Sequence, residues 1–158
     1  MTNSRHLNFI KLAEQRMTRI FQTANLIANL SSVSKYTFTR EEIEEFWNAY
    51  YEMGERTKNV FYMSRYEPIS DIEFKFETLE QENNNKNINF RRLAEQRLSK
   101  IFKNLSLISR LANRKNYTFT YEEIDFLFSS YVEKGLEIKR FFEPHLNPLS
   151  DEFTFNKL

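Results

Sequence analysis

Between residues 8 and 30 the apolar positions Ala13, Met17, Ile20, Ala24 and Ile27 alternate in steps of four and three. That spacing holds a single stripe on one side of a helix of about 3.6 residues per turn and predicts an amphipathic helix with one buried face. The pattern returns at Ala94, Leu98, Ile101, Leu105, Ile108 and Ala112, and Phe21 and Phe102 widen the two stripes. A polar connection follows each stripe, at 31–35 and 113–116. Thr39 then precedes Glu42 by three positions, and Thr120 precedes Glu123. Each pair predicts a capping box, in which the hydroxyl accepts from an orphan N–H and the carboxylate reaches back to the cap N–H. Phe38 and Phe119 stand just before the caps, where a hydrophobic staple belongs. Ile43, Phe46, Trp47, Tyr50, Val60 and Phe61 recur at helical spacing, as do Ile124, Leu127, Phe128, Tyr131, Ile138 and Phe142. Each unit therefore reads as a helical hairpin of two helices about six turns long.

The two hairpins are one unit written twice. About 24 of the 54 positions from 8 to 61 recur identically after a gapless shift of 81, so the second copy is to be read as packed against the first. A lone hairpin leaves its apolar face open. Two of them predict an all-α, pseudo-twofold four-helix bundle formed by a monomeric pseudo-dimer. Gly54 and Gly135, the only glycines, are equivalent and fall mid-helix. Glycine there costs about 1 kcal/mol relative to Ala, which predicts that a bulky side chain or a helix backbone passes close by. After each hairpin comes an extended segment. Residues 67–76 match 147–155 with one residue deleted, Pro68 and Pro148 stop the helices, and Phe74 with Phe76 and Phe153 with Phe155 share a face of extended chain. These tails are expected to lie across the hairpins, since an isolated two-stranded ribbon is weak. The division is a first repeat with tail at 1–78, a linker at 79–88 and a second repeat with tail at 89–158.

Composition narrows the class. Two Gly, three Pro, 41% hydrophobic and 28% charged residues suit a mostly helical globular protein. The absence of Cys excludes disulfides and thiolate metal sites. No apolar run approaches the roughly 20 residues of a membrane span, and Met1 to His6 carry no apolar signal stretch. A cytoplasmic location without membrane contact is expected. The two histidines, His6 and His145, lack a Glu-x-x-His partner, and there is no Gly-rich phosphate loop or Gly-x-Ser-x-Gly. The expectation is a protein that is not an enzyme and uses no cofactor or metal.

Charge adds a candidate surface. From Asn89 to Asn116 eight basic residues face one acid, Glu95, for a local +7; the matching stretch 8–35 sums to +3, and the second helices are acidic. Arg92, Lys103, Arg110 and Arg114 fall opposite the apolar stripe, a basic ridge about 30 Å long. With Lys100, Lys115 and the amide and aromatic groups of Asn113 and Tyr117, they are the residues expected to bind a partner or nucleic acid. Arg16 and Arg97, identical in the two copies, lie beside the stripes. They are expected to bridge to Glu52 and Glu133; the alternative is a symmetric binding site.

Leu93, Ala94, Arg97, Leu107 and Leu111, followed by Asn113, Arg114, Asn116, Tyr117, Thr118 and Thr120, carry a pattern of Leu-Ala-x-x-Arg, a Leu-rich helix and an Asn-Arg-x-Asn-Tyr turn. This pattern resembles a small, uncharacterised helical-hairpin module of bacterial, phage and mobile-element proteins. The first copy departs from it in the turn, where Ser32 and Val33 replace Asn and Arg. The resemblance implies a small accessory or regulatory factor, including defence and counter-defence proteins. The function expected is a non-catalytic binding protein that docks on a protein or ribonucleoprotein partner. The alternative is a helical bundle that binds RNA or DNA directly through its basic helix.

Overall fold

The computed structural model describes residues 3–79, 84–146 and 153–156. Helix α1 runs over Ser4–Ala28 and starts where the Asn3 side chain accepts from the His6 N–H at 3.2 Å. Helix α2, Arg40–Tyr62, starts at the predicted capping box: the Thr39 hydroxyl accepts from Glu42 N–H at 3.1 Å, and the Glu42 carboxylate accepts from Thr39 N–H at 2.8 Å. Helix α3, Asn85–Ser109, is capped by Asn84, and α4, Tyr121–Lys139, by the second capping box at Thr120 and Glu123. A short helix, α5, follows at Glu143–Leu146. Single 3₁₀ turns extend α1 and α3 over Asn29–Ser31 and Arg110–Ala112. The first helices of both copies begin four residues earlier than the periodicity suggested, because Asn3 and Asn84 provide caps that an apolar stripe does not report. The linker therefore ends at Asn84, and residues 85–88 are helical.

The four long helices form an all-α bundle with one continuous apolar core. Every predicted stripe residue of the two first helices is buried except Phe21, which is half-buried. The connectivity within the bundle differs from a pair of hairpins lying side by side. The principal helix contacts all run between copies: α1 packs on α3 and α4, and α2 packs on α3 and α4. The helices of one copy thus stand diagonally across the bundle from each other. The eight-residue connection 32–39 makes this possible, since it can extend to roughly 26 Å. Phe38 and Phe119, placed as staples by their sequence position, also reach out of their own copy. Phe38 packs on Phe90 at 5.4 Å and Phe142 at 5.3 Å, and Phe119 on Phe9 at 5.5 Å and on Phe61 at 5.2 Å.

Two reciprocal contacts lock the copies together. Tyr50 and Tyr131 stack with ring centroids 4.1 Å apart and planes 5° from parallel, and each hydroxyl donates to the other residue's backbone carbonyl, at 2.6 and 2.7 Å. Burial raises the pKa of both phenols, so they stay protonated donors. The rings lie on the glycines. A Cβ on Gly54 would come within 2.4 Å of the Tyr131 ring, and one on Gly135 within 2.4 Å of the Tyr50 ring. In the second contact Arg16 donates to the carbonyl of Leu107 at 2.6 Å, and Arg97 to that of Leu26 at 2.8 Å. Each guanidinium serves the last turn of the antiparallel first helix of the other copy, where the dipole favours a cation and a carbonyl that already accepts from the cap N–H of Asn29 or Arg110 offers its second lone pair. The expected bridges to Glu52 and Glu133 do not form, because Glu52 and Glu133 are exposed on the far helices while the carbonyls lie directly opposite.

A Gly54→Ala substitution tests the ring-on-glycine contact. Ala improves helix propensity by about 1 kcal/mol, but a stacked, doubly hydrogen-bonded ring cannot move aside, and overpacking of this kind costs about 1–3 kcal/mol. The variant should melt below the parent, whereas Asn48→Ala, on the exposed face of the same helix, should not. Equal melting temperatures for the two variants would show that the ring yields freely.

Candidate functional site

The basic helix α3 does not stand alone. The first tail, 63–79, is extended and runs antiparallel along one flank of it, so the tail of the first copy lies on the first helix of the second. The Ser106 hydroxyl donates to the Ile69 carbonyl at 2.7 Å, and Ile69 N–H donates to Ser109 at 3.0 Å. Phe74 N–H donates to the Ser99 hydroxyl at 2.8 Å and Phe76 N–H to the Glu95 carboxylate at 2.9 Å. The Glu45 carboxylate of α2 accepts from the N–H groups of Glu77 and Thr78. An extended strand with no sheet partner needs such acceptors for its backbone, and short hydroxyl side chains along one helix flank provide them. Phe74 is buried between Phe46 and Phe102, and Phe76 packs on Phe90. The counterpart residues 147–152 of the second tail lie outside the described residues.

A buried ion pair anchors the end of this tail. The Arg91 Nε donates to the Glu42 carboxylate at 2.5 Å, and the same carboxylate accepts from the Asn87 amide at 2.9 Å. The outer guanidinium nitrogen of Arg91 holds the Thr78 hydroxyl at 3.1 Å and the Leu79 carbonyl at 2.8 Å, and its plane lies over Phe76 at 5.1 Å. Arg91 counts toward the local charge of +7, yet it faces inward. Nothing in the sequence marked Glu42 for this second role, since its place in a capping box already accounted for it.

The eight predicted binding residues fall into two sets. Arg92, Lys100, Lys103, Arg110 and Lys115 are exposed, and among the described residues none of them forms an ion pair. Arg92, Lys100 and Lys103 line a groove shared with Asp71, Glu73 and Lys75 of the tail, so the ridge is bordered by acids on one side. The other three serve the turn. Asn113 accepts from the backbone N–H groups of Lys115, Asn116 and Tyr117. Tyr117 is half-buried against the core. Arg114 lies over Phe119 at 4.7 Å and donates to the Tyr121 hydroxyl at 3.0 Å and to the Phe61 carbonyl at 3.4 Å. Tyr121 in turn stacks on Tyr62 at 4.6 Å, which leaves a partly exposed aromatic pair beside the end of the ridge.

The opposite corner of the bundle carries the equivalent polar contact in altered form. Where Asn87 meets Glu42 in one corner, His6 meets Glu123 at 2.7 Å in the other. Burial on its own pushes the Glu123 carboxyl up, but the hydrogen bonds from Thr120 and His6 outweigh it and the net shift is downward. Among the described residues no cluster of His, Asp or Glu could hold a metal ion, and no helix is long and apolar enough to cross a membrane.

Two measurements follow from these contacts. Arg91→Ala strands the buried Glu42 carboxylate and should destabilise the fold by about 3–5 kcal/mol in denaturant unfolding; a loss below 1 kcal/mol would mean that water replaces the guanidinium. Because the folded pKa of Glu123 is depressed, its contribution is present above the unfolded value near 4.5 and is lost as pH falls through the lower folded value. Glu123→Gln should accordingly flatten the fall in melting temperature between about pH 5 and pH 3, and an unchanged acid limb would assign that fall to other carboxylates. Comparison of the chain with protein-family models, with curated proteins and with solved structures found no match.

Proposed function

We propose that this chain is a non-catalytic docking protein that engages an acidic face of a protein or ribonucleoprotein partner through α3. The observation that carries the reading is the row of exposed cations, Arg92, Lys100, Lys103, Arg110 and Lys115, none of them neutralised by an ion pair within the described residues. Cations left unpaired along α3 and the turns that follow it raise the rate and selectivity of encounter with an acidic surface. The first tail packs along one flank of α3 and fixes the backbone beneath these cations, so the ordering left to be done on binding is that of the side chains. The resemblance in the turn supports the setting, a small accessory factor of a phage or mobile element, in defence or counter-defence.

A second reading rests on the aromatic pair Tyr62 and Tyr121 beside Arg114. Exposed stacked rings next to cations suit the bases and phosphates of a single strand, and α3 would then be a direct RNA- or DNA-binding helix. The acids Asp71 and Glu73 along the ridge weigh against a long phosphate track there.

One variant tests the main reading. Lys100→Glu, Lys103→Glu and Arg110→Glu together should leave the melting temperature within a few degrees of the parent, since exposed substitutions cost about 0.5 kcal/mol or less each. The same variant should lose a partner that the parent retains after nuclease treatment. Retention of that partner by the triple variant would refute docking through α3. Loss of the partner on nuclease treatment alone would move the assignment to nucleic acid, where the apparent affinity should fall with salt by about 0.7 log units per released counterion for a single strand.

A further inference from the structure

A groove of about 420 Å³ runs between α1 and α4, lined by Ile10, Met17, Phe21, Phe126 and Leu127 with Glu14 and Thr18 beside them. It is strongly apolar, and Phe126 is 73% exposed at its rim. Shifted by the repeat offset of 81, its residues Glu14, Thr18, Phe21 and Leu127 become Glu95, Ser99, Phe102 and Phe46. Those four residues are the ones that seat Phe74 and Phe76 of the first tail in the α2–α3 groove. One groove is filled and its counterpart is open. The burial of the equivalent residues records the difference: Phe102 and Phe46 are buried, whereas Phe21 and Leu127 are only half-buried.

The second copy carries the matching aromatic pair. Phe153 and Phe155 are 81% and 75% exposed. Their rings meet edge to face, 4.9 Å apart at 84°; Phe74 and Phe76 meet at 4.9 Å and 76°. The pair is thus arranged as the seated pair is, but outside any groove.

We propose that the α1–α4 groove is the seat of the chain's own Phe153-Thr154-Phe155 segment. Phe153 N–H donates there to the Thr18 hydroxyl and Phe155 N–H to the Glu14 carboxylate, as Phe74 and Phe76 donate to Ser99 and Glu95. The side chains needed at the level of the aromatic pair are the ones the second groove retains. Those that bind the first tail on either side of the pair are replaced: Ser106 and Ser109 correspond to Asn25 and Ala28, and Glu45 to Phe126. The second segment is therefore held at its aromatic pair alone and exchanges between seated and free, whereas the first tail is permanently bound. Phe153 follows Leu146 by seven positions, an extended reach of roughly 23–25 Å, and a tether of that length gives an effective concentration on the order of millimolar, far above that of a free competitor. This groove and the α3 cations are on different faces, so the proposal stands or falls independently of partner docking.

The chain has no cysteine, which makes trapping simple. In the full-length chain, Gln22→Cys with Thr154→Cys, which keeps the Thr18 hydroxyl, is treated with a short bis-maleimide at low micromolar protein, and the product is mapped by mass spectrometry. The expected result is an intramolecular link between positions 22 and 154 in the monomer, since their equivalents Lys103 and Lys75 line one groove, absent from an Asn48→Cys with Thr154→Cys control on α2. It should also be lost when Phe153→Ser and Phe155→Ser are added, with the helical circular-dichroism signal unchanged. Links between two chains would overturn the proposal in favour of a second copy's tail in the groove. So would equal linking at position 48, linking that survives loss of the phenylalanines, or no link at all.

Discussion

Each of two tyrosines lies flat on the other and on the glycine of the opposite helix, and this contact sets the spacing of α2 and α4. With any side chain at Gly54 or Gly135, α2 and α4 would separate by about the thickness of a methyl group, and both Tyr50 and Tyr131 would lose the carbonyls that satisfy their buried hydroxyls. A buried hydroxyl without a partner costs about 1–3 kcal/mol, so ring stacking, helix spacing and hydrogen bonding fail together. The arginine contacts at the ends of α1 and α3 are the counterpart on the other helix pair. There the guanidinium groups of Arg16 and Arg97 do for the helix ends what the phenols do for the middle: they place a polar group of one copy on the backbone of the other.

Much of this was legible in the residues. The stripes at Ala13–Ile27 and Ala94–Ala112 gave two buried helix faces because burial of a face leaves a period. Capping boxes gave the starts of α2 and α4 because the chemistry of a cap is local. Gly54 and Gly135 announced a close approach without saying what approached. What could not be read was the identity of contacts between distant segments. Arg16 and Arg97 looked like partners for carboxylates, because the sequence displays side-chain charge and conceals which backbone carbonyls a helix end presents to its neighbour. Arg91 looked like one more surface cation, because its partner Glu42 is 49 residues away and already employed in a cap. For the same reason the diagonal placement of consecutive helices was hidden: periodicity tells which face is buried and is silent about which neighbour buries it.

The two copies have diverged most where they meet solvent or the tails. One corner holds Asn87, Arg91 and Glu42; the equivalent corner holds His6, Ile10 and Glu123. One flank of the bundle presents Glu45, which binds backbone, and the other presents Phe126, which is bare. Many buried equivalents are identical, such as Ile20 with Ile101 and Tyr50 with Tyr131, others exchange volume, such as Ala24 with Leu105 and Trp47 with Phe128, and the rims became different surfaces. The cations concentrated on α3 belong to the same divergence.

The diagonal connectivity also bears on how the chain acquires its shape during synthesis. Every principal helix contact joins segments from different copies, and the tyrosine partners are 81 residues apart. When the first two helices leave the ribosome they have nothing to pack against, and their greasy faces stay uncovered until α3 and α4 follow. Such a nascent half is prone to capture by chaperones or by another half-made chain. Its long-range pairing also makes folding slower than is usual for a small helical protein, in which most contacts are local.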